Sequence, residues 1–296
     1  AVTGALRRQD SDPRHVLTLV PMLDGRPYLT GGEGETWRLY EFVTDSLCLD
    51  KPESVDDLKQ SGVAFGMFQN QLADFPAHTL TETIPHFHDT PARYEQLKQA
   101  MQENRAGRLN EVRAELDFYL AREQEAAALM DLCRAGKLPL RVTHNDTKLN
   151  NVMLDRFTRA PLCVIDLDTV MPGLAANDFG DSIRFGANTA AEDEQDVSKV
   201  SLSLPLFESY TKGFLAGCAG SLTRAEVEML PMGAKLMTLE CGIRFLADYL
   251  MGDTYFKTAY PEHNLVRART QIALVADMEE KWGEMENIVA RASFSH

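Results

Sequence analysis

The sequence predicts an α+β chain in two unequal parts: a small antiparallel β part over residues 1–45 and a large, mainly helical part over 46–296 that carries a short β insert. Three observations predict it. Residues 15–21 (HVLTLVP) and 36–43 (TWRLYEFV) are β-favouring runs separated by the turn signals Asp24-Gly25 and Gly31-Gly32-Glu33-Gly34. Beyond Val43 the chain turns to helix caps and apolar stripes at helical spacing. Residues 140–165 then break that pattern with three short apolar runs between polar loops.

In the β part, the two runs read as antiparallel strands joined by tight turns. Ser54 with Asp57 forms a capping box opening a helix through about Leu72. Thr90-Pro91 starts another, because proline suits the first helical position, with Tyr94, Leu97 and Met101 on one face. Asn110 is placed to cap a long third helix with the stripe Val112, Leu116, Tyr119 and Leu120, stopping near Gly136. Residues 140–143, 152–154 and 162–165 are the strands of the insert. Past Ala190 the chain reads as helical almost to its end, the acidic run Glu192, Asp193, Glu194 and Asp196 being a solvated first helical turn.

The bulk composition excludes several classes. Hydrophobic residues make up 44%, enough for an ordinary core, and no window reaches the ~20 apolar residues that span a bilayer. The net charge of −14 comes with no basic stripe, so nucleic acid is not an expected partner. The five cysteines, Cys48, Cys133, Cys163, Cys218 and Cys241, form no C-x-x-C pair. An odd number of unpaired, buried thiols fits a reduced, cytoplasmic chain better than a disulfide framework or a zinc site.

The chemistry concentrates in residues 141–155 (RVTHNDTKLNNVMLD) and 164–169 (VIDLDT). The first has the form H-x-D-x-K-x-x-N, from His144 through Asn151. Phosphoryl transfer asks little of a protein: one group to orient the attacking hydroxyl, others to hold metal on the phosphates. Asp146 can accept the hydroxyl proton. The amide oxygen of Asn151 is a hard ligand suited to Mg²⁺, and Asp166 ends an apolar strand, where a carboxylate is presented from a buried scaffold. Lys148 is two residues past Asp146, within reach of a γ-phosphate. His144 reads as a brace of the loop rather than a base. Asp168 is either a second metal ligand or a solvated carboxylate. Arg244 and Asp248 are spaced i, i+4 on a helix, which describes a surface ion pair as well as a substrate contact.

Together these motifs resemble the catalytic segment of the aminoglycoside phosphotransferase and choline kinase family, relatives of protein kinases, and residues 164–194 are most similar to the N-acetylhexosamine 1-kinase group within it. The resemblance covers nearly the whole chain. It implies a protein-kinase-like two-lobe fold with ATP and Mg²⁺ as cofactors and a sugar or amino sugar as small-molecule substrate. It implies Asp146 as catalytic base, Asn151 and Asp166 as metal ligands, and Arg244 as a substrate contact beside Asp146. Residues 36–43 resemble the strand leading into the interlobe hinge, so Tyr40, Glu41, Phe42 and Val43 are expected to meet the adenine edge. Asp178-Phe179-Gly180 spells a protein-kinase D-F-G, but it lies 32 residues past Asp146, beyond the usual short hairpin, and no A-P-E follows. Asp166 has the better spacing, and Asp178 reads as a loop-bracing or helix-capping carboxylate.

The expected Gly-rich phosphate loop and strand lysine have no counterpart here. The first lysine is Lys51, and Gly31–Glu35 lacks the G-x-G-x-x-G spacing and carries two carboxylates, so it reads as a hairpin turn. By resemblance, AVTGALRR matches the end of the small-lobe helix after the lysine strand, which places the first part of that lobe upstream of Ala1. Rival readings are an aminoglycoside-, choline- or homoserine-type kinase, for which the acidic run would serve a cationic substrate, and a non-catalytic nucleotide-binding relative. A protein kinase and a D-x-D glycosyltransferase are more distant.

Overall fold

The computed structural model describes residues 1–294. Its first element is a helix, α1 (Val2–Gln9), where the resemblance placed one. Val2, Ala5 and Leu6 are spaced to fall on one face, and they bury against Phe68, Leu72 and Val142. The β part follows as a thin ribbon. β1 (Leu29–Thr30) pairs antiparallel with β2 (Thr36–Trp37) across the Gly31–Glu35 turn. Beyond it, Leu19 faces Tyr40 in a single bridge, held by Val20 N–H to the Leu39 carbonyl (2.8 Å) and Glu41 N–H to the Thr18 carbonyl (2.9 Å). The two expected strands thus lie side by side as foreseen but are mostly irregular. A two-stranded ribbon without a third strand is marginal, and Trp37, Leu39 and Phe42 remain exposed.

β3 (Ser46–Leu47) leaves the ribbon and pairs with β5 (Val152–Asp155), which pairs in turn with β6 (Pro161–Val164), an antiparallel order β3-β5-β6. β4 (Arg141–Thr143) pairs with β7 (Met171–Gly173), a strand the sequence reading did not include. These two small sheets hold the segments rich in polar residues.

Helices surround them. α2 (Val55–Gln71) begins at the expected Ser54/Asp57 capping box, and α3 (Thr90–Glu103) is capped by Asp89 with Pro91 in its first turn. The long third helix is instead broken into α4 (Arg113–Leu120) and α5 (Ala128–Arg134), and Asn110 caps neither. Side chains compete for the backbone at the break: Arg122 Nη1 donates to the Phe118 carbonyl (2.8 Å) and the Tyr94 hydroxyl to the Tyr119 carbonyl (2.9 Å). The remaining helices are α6 (Ala175–Gly186), α7 (Leu204–Cys218), α8 (Arg224–Glu228), α9 (Leu230–Met251), α10 (His263–Glu280) and α11 (Trp282–Ser293).

The acidic run is not a helical turn. Glu192 pairs with Arg184 (2.6 Å), Asp193 with His263 (3.1 Å) and Glu194 with Lys199 (3.3 Å), which ties the segment down as a loop. All five cysteines are free; Cys48 is exposed and Cys133 half-buried, not buried as expected, whereas burial pushes the Cys163, Cys218 and Cys241 thiols up to about 12. Among the described residues no helix is long and apolar enough to cross a membrane.

The core is keyed by α2 against α7. Gly62 and Gly66 of α2 face the backbone of Tyr210 and Phe214, while Gly213 and Gly217 of α7 face that of Lys59 and Val63. A Cβ at Gly66 would collide with the Phe214 carbonyl oxygen, which belongs to a buried backbone and has nowhere to move. Gly66→Ala should therefore cost about 2–3 kcal/mol, as overpacking of a rigid contact does. Urea unfolding checks this, and a loss below about 0.5 kcal/mol would show that the helices can part freely.

Candidate active site

Polar residues at the ends of β4, β5 and β6 converge on the loop between β4 and β5. His144 is fully buried. Its ring meets Phe65 and Phe68 edge-on, and Nε2 lies 2.8 Å from the Ile165 carbonyl. It is a brace, as read from the sequence. Asn145 follows in the left-handed region (φ 65°), a conformation asparagine tolerates. Its amide donates to the Thr169 carbonyl (2.8 Å), and Thr169 Oγ1 returns a bond to the His144 carbonyl (2.7 Å).

Asp178 sits beneath this turn. From the first turn of α6 it accepts the backbone N–H groups of His144 (2.9 Å) and Asn145 (2.8 Å), and Gln69 Nε2 of α2 (2.8 Å). Burial pushes the Asp178 carboxyl up, against the opposing pull of His144 and the two backbone donors. Asp181, one turn of α6 later, accepts Thr147 N–H (3.0 Å) and pairs with Arg184 (2.9 Å). Burial alone would raise it, but Arg184 and Lys148 outweigh that and hold it low.

On this platform Asp146, Lys148 and Asn151 come together. Lys148 Nζ lies 2.8 Å from Asp146 Oδ1. Asn151 Nδ2 donates to the Asp146 carbonyl (2.8 Å) and to its Oδ2 (3.1 Å). Because both acceptors are oxygens, the amide must present its nitrogen to Asp146, which leaves Oδ1 facing away from it and without a hydrogen bond among the described residues. Burial pulls the Lys148 ammonium down, but the Asp146 charge more than compensates and the net shift is upward. Ile165 N–H binds the Asn151 carbonyl (2.9 Å), so the residue before Asp166 is tied to the loop. Asp166 itself is left-handed (φ 58°), and its carboxylate has no protein partner among the described residues. Asp168 is engaged by Arg38 Nη2, at 2.5 Å and 2.7 Å from its two oxygens.

Asn151 Oδ1 and the Asp166 carboxylate are the groups suited to a hard cation. Among the described residues no three His, Cys, Asp or Glu side chains form a protein-only metal cluster. If these two side chains held a hard cation, its other ligands would have to come from outside the protein.

The other expected site residues are placed less directly. In the stretch Tyr40, Glu41, Phe42 and Val43, the Glu41 N–H is used by Thr18, Phe42 is exposed, and Val43 is buried with its carbonyl accepting Ser46 Oγ. Arg244 forms no ion pair with Asp248, contrary to that reading of the spacing. Asp248 instead accepts the backbone N–H groups of Thr254, Tyr255 and Phe256 and the Asn264 amide. The Arg244 guanidinium lies over the rings of Phe87 (5.4 Å), Tyr255 (5.8 Å) and Phe256 (5.4 Å), beside a cavity of about 430 Å³. It reaches the catalytic loop through an intermediary: Phe87 packs on His88 (4.4 Å), whose Nε2 is 3.0 Å from the Asn145 carbonyl.

His88 was missed in the sequence because its partner, Glu240 on α9, is 152 residues away (Nδ1 to Oε1, 2.8 Å). Both ring nitrogens face acceptor oxygens, so both carry protons and the ring is an imidazolium. Burial works against that charge, but Glu240 overcomes it and the His88 pKa is raised above 6.5.

A family model described as the phosphotransferase enzyme family, APH, matches residues 13–205. The chain belongs to that family. It is accordingly an enzyme, a small-molecule kinase. Solved kinases share its fold. An aminoglycoside phosphotransferase from Alicyclobacillus acidocaldarius superposes with a TM-score of 0.63 at 15% identity, covering 98% of this chain and 82% of that one. A microcompartment-associated aminopropanol kinase gives 0.53 at 20% identity, covering 95% and 80%. An ethanolamine kinase from Plasmodium vivax gives 0.51 at 14% identity, covering 91% and 72%. The kinase-like fold read from the motifs is thereby shown.

Two outcomes test the loop's support in this kinase. Asp178→Ala should cost about 3–5 kcal/mol in urea unfolding, because two buried backbone donors lose their acceptor; a loss under about 1 kcal/mol would mean that another acceptor takes over. The His88–Glu240 pair should stabilise the fold fully below about pH 6.5 and lose its contribution as pH rises through the elevated folded-state value. The stability difference between wild type and His88→Gln should therefore shrink as pH rises, and one that grows would contradict the charged pair.

Proposed function

We propose that this enzyme transfers the γ-phosphoryl group of ATP, with Mg²⁺, to the anomeric hydroxyl of an N-acetylhexosamine. The observation that carries the phosphotransfer reading is the amide of Asn151. It spends its nitrogen on Asp146 and leaves its oxygen free of that pair, so one side chain can fix the base and meet a cation. Asp166, without a hydrogen-bond partner among the described residues, would supply the second oxygen ligand. A Mg²⁺ held by these two side chains would supply charge neutralisation for the phosphates.

The chain's own residues then divide the work. Asp146 Oδ2 is fixed by Asn151 and Oδ1 by Lys148, so the carboxylate accepts the acceptor's proton from a set orientation. Lys148 balances Asp146 and stands ready to follow charge onto a phosphate. Of the strand end Tyr40 to Val43, the backbone after Glu41 offers itself to the adenine edge, since the Glu41 N–H is already bound. On this reading residues 1–45 belong to the nucleotide-covering lobe and 46–296 to the catalytic one.

The acceptor pocket favours a neutral sugar over a cationic acceptor. Three guanidiniums, Arg93, Arg105 and Arg244, line the 430 Å³ cavity with Tyr255 and Phe256, and its two carboxylates are already engaged, Glu103 by Arg105 and Asp248 by four nitrogen donors. Arginine and aromatic faces suit the hydroxyls and C–H surface of a hexose and disfavour an ammonium-rich aminoglycoside or choline. The acidic run that would suit such cations is already engaged: Arg184 pairs with Glu192, Lys199 with Glu194, and the His263 ring lies against Asp193.

An ADP-release assay over N-acetylglucosamine, N-acetylgalactosamine, choline and kanamycin tests the acceptor, and turnover of only the last two would defeat the sugar assignment. Asp146→Asn should lower kcat by about 10²–10⁴-fold without weakening nucleotide binding. A variant within about tenfold of wild type would remove Asp146 from the chemistry. Arg244→Ala should raise KM for the sugar about tenfold, the worth of one charge-assisted contact.

A further inference from the structure

Arg38 is the one basic residue between Gly31 and Asp50, and Arg26, the nearest before it, is already paired with Asp24. From the end of β2 its guanidinium crosses 130 residues of sequence to Asp168, where a single nitrogen, Nη2, meets both carboxylate oxygens. The Asp166 charge also acts on it. Both partners of the pair are substantially exposed, 40% and 58% at the side chain. Such pairs add little to stability, so fold maintenance is a weak reason for its existence.

The charges supply a better one. Asp166 and Asp168 are two carboxylates two residues apart, and among the described residues Asp166 has no hydrogen-bond partner. Among the described residues Nη1 and Nε of Arg38 make no protein hydrogen bond, so part of a planar donor fork is unused at the D-x-D. A guanidinium fork recognises phosphate as well as carboxylate.

We propose that Arg38 is a positioning cation of the phosphate site: it neutralises the D-x-D when no metal is bound and transfers to a nucleotide phosphate when Mg²⁺ and nucleotide arrive. The assignment rests on the phosphotransferase reading above. Arg38 competes with metal in the free protein and cooperates with it in the complex, so one substitution should move two affinities in opposite directions.

Calorimetry with Mg²⁺ and the non-hydrolysable analogue AMPPNP, and electron paramagnetic resonance with Mn²⁺ alone, read the two affinities. Arg38→Ala should bind Mg²⁺·AMPPNP about tenfold more weakly, the worth of one charge-assisted contact. It should bind Mn²⁺ alone about threefold more tightly, because a competing charge has gone. Arg38→Lys should fall between, keeping the charge and losing the fork. In an Asp168→Asn background the loss of nucleotide affinity should persist, since the phosphate contact does not run through Asp168. Unchanged affinities in Arg38→Ala, or a nucleotide effect that vanishes with Asp168→Asn, would overturn the assignment and leave Arg38 a surface tie. Absence of Mg²⁺·AMPPNP binding to the wild-type chain would overturn the nucleotide reading as well, whereas wild-type binding that Arg38→Ala leaves unchanged overturns Arg38 alone.

Discussion

The buried carboxylate of Asp178 is the constraint on which the site depends. A loop that turns sharply at Asn145 leaves the N–H groups of His144 and Asn145 pointing inward, away from water. Left unmatched, buried donors of this kind cost as much as many whole side chains contribute. Asp178 accepts both, and Gln69 besides, so α2, α6 and the loop are locked through one group. α6 also accepts the Thr147 hydroxyl at the Asp178 carbonyl (2.5 Å), and Ser182 donates to the Thr147 carbonyl (2.7 Å), continuing to the Tyr210 hydroxyl of α7 (2.7 Å). The rigidity of the helical core is thereby delivered to the backbone on either side of Asp146.

From that platform a line of alternating charge runs outward. Asp146 meets Lys148, the Lys148 charge acts on Asp181, Asp181 pairs with Arg184, and Arg184 with Glu192. Each charge is balanced by its neighbours, which is how ionised groups persist where burial opposes them. On the opposite flank the imidazolium of His88 joins the Asn145 carbonyl to the Phe87 and Arg244 cavity. The loop is therefore supported from the core beneath and from the Arg244 side.

Much of this was legible in the sequence because it is local. The Ser54/Asp57 box, the Pro91 helix start, the Gly31–Glu35 turn and the three insert strands are set by residues within a few positions of one another. The H-x-D-x-K-x-x-N spacing likewise fixes which side chains share a loop, and Asp178 was separable from a true D-F-G by its distance along the chain. What was not legible is set by partners far away. The long helix expected from Asn110 is broken because Tyr94 and Arg122 claim carbonyls at the end of α4. The acidic run is a loop because Arg184, His263 and Lys199 hold it. Arg244 and Asp248 have the spacing of an ion pair, yet three aromatic rings engage one and four nitrogen donors the other. His88 with Glu240 and Arg38 with Asp168 carry no local pattern at all.

The central claim is that Asn151 and Asp166 hold the metal beside Asp146. Crystals of the chain grown with Mn²⁺ and AMPPNP test it through the anomalous signal of manganese. The account expects a peak within about 2.2 Å of both Asn151 Oδ1 and an Asp166 oxygen, as oxygen ligation of a small divalent cation requires. A peak away from both side chains, for example on the Glu192–Asp196 loop, would contradict it.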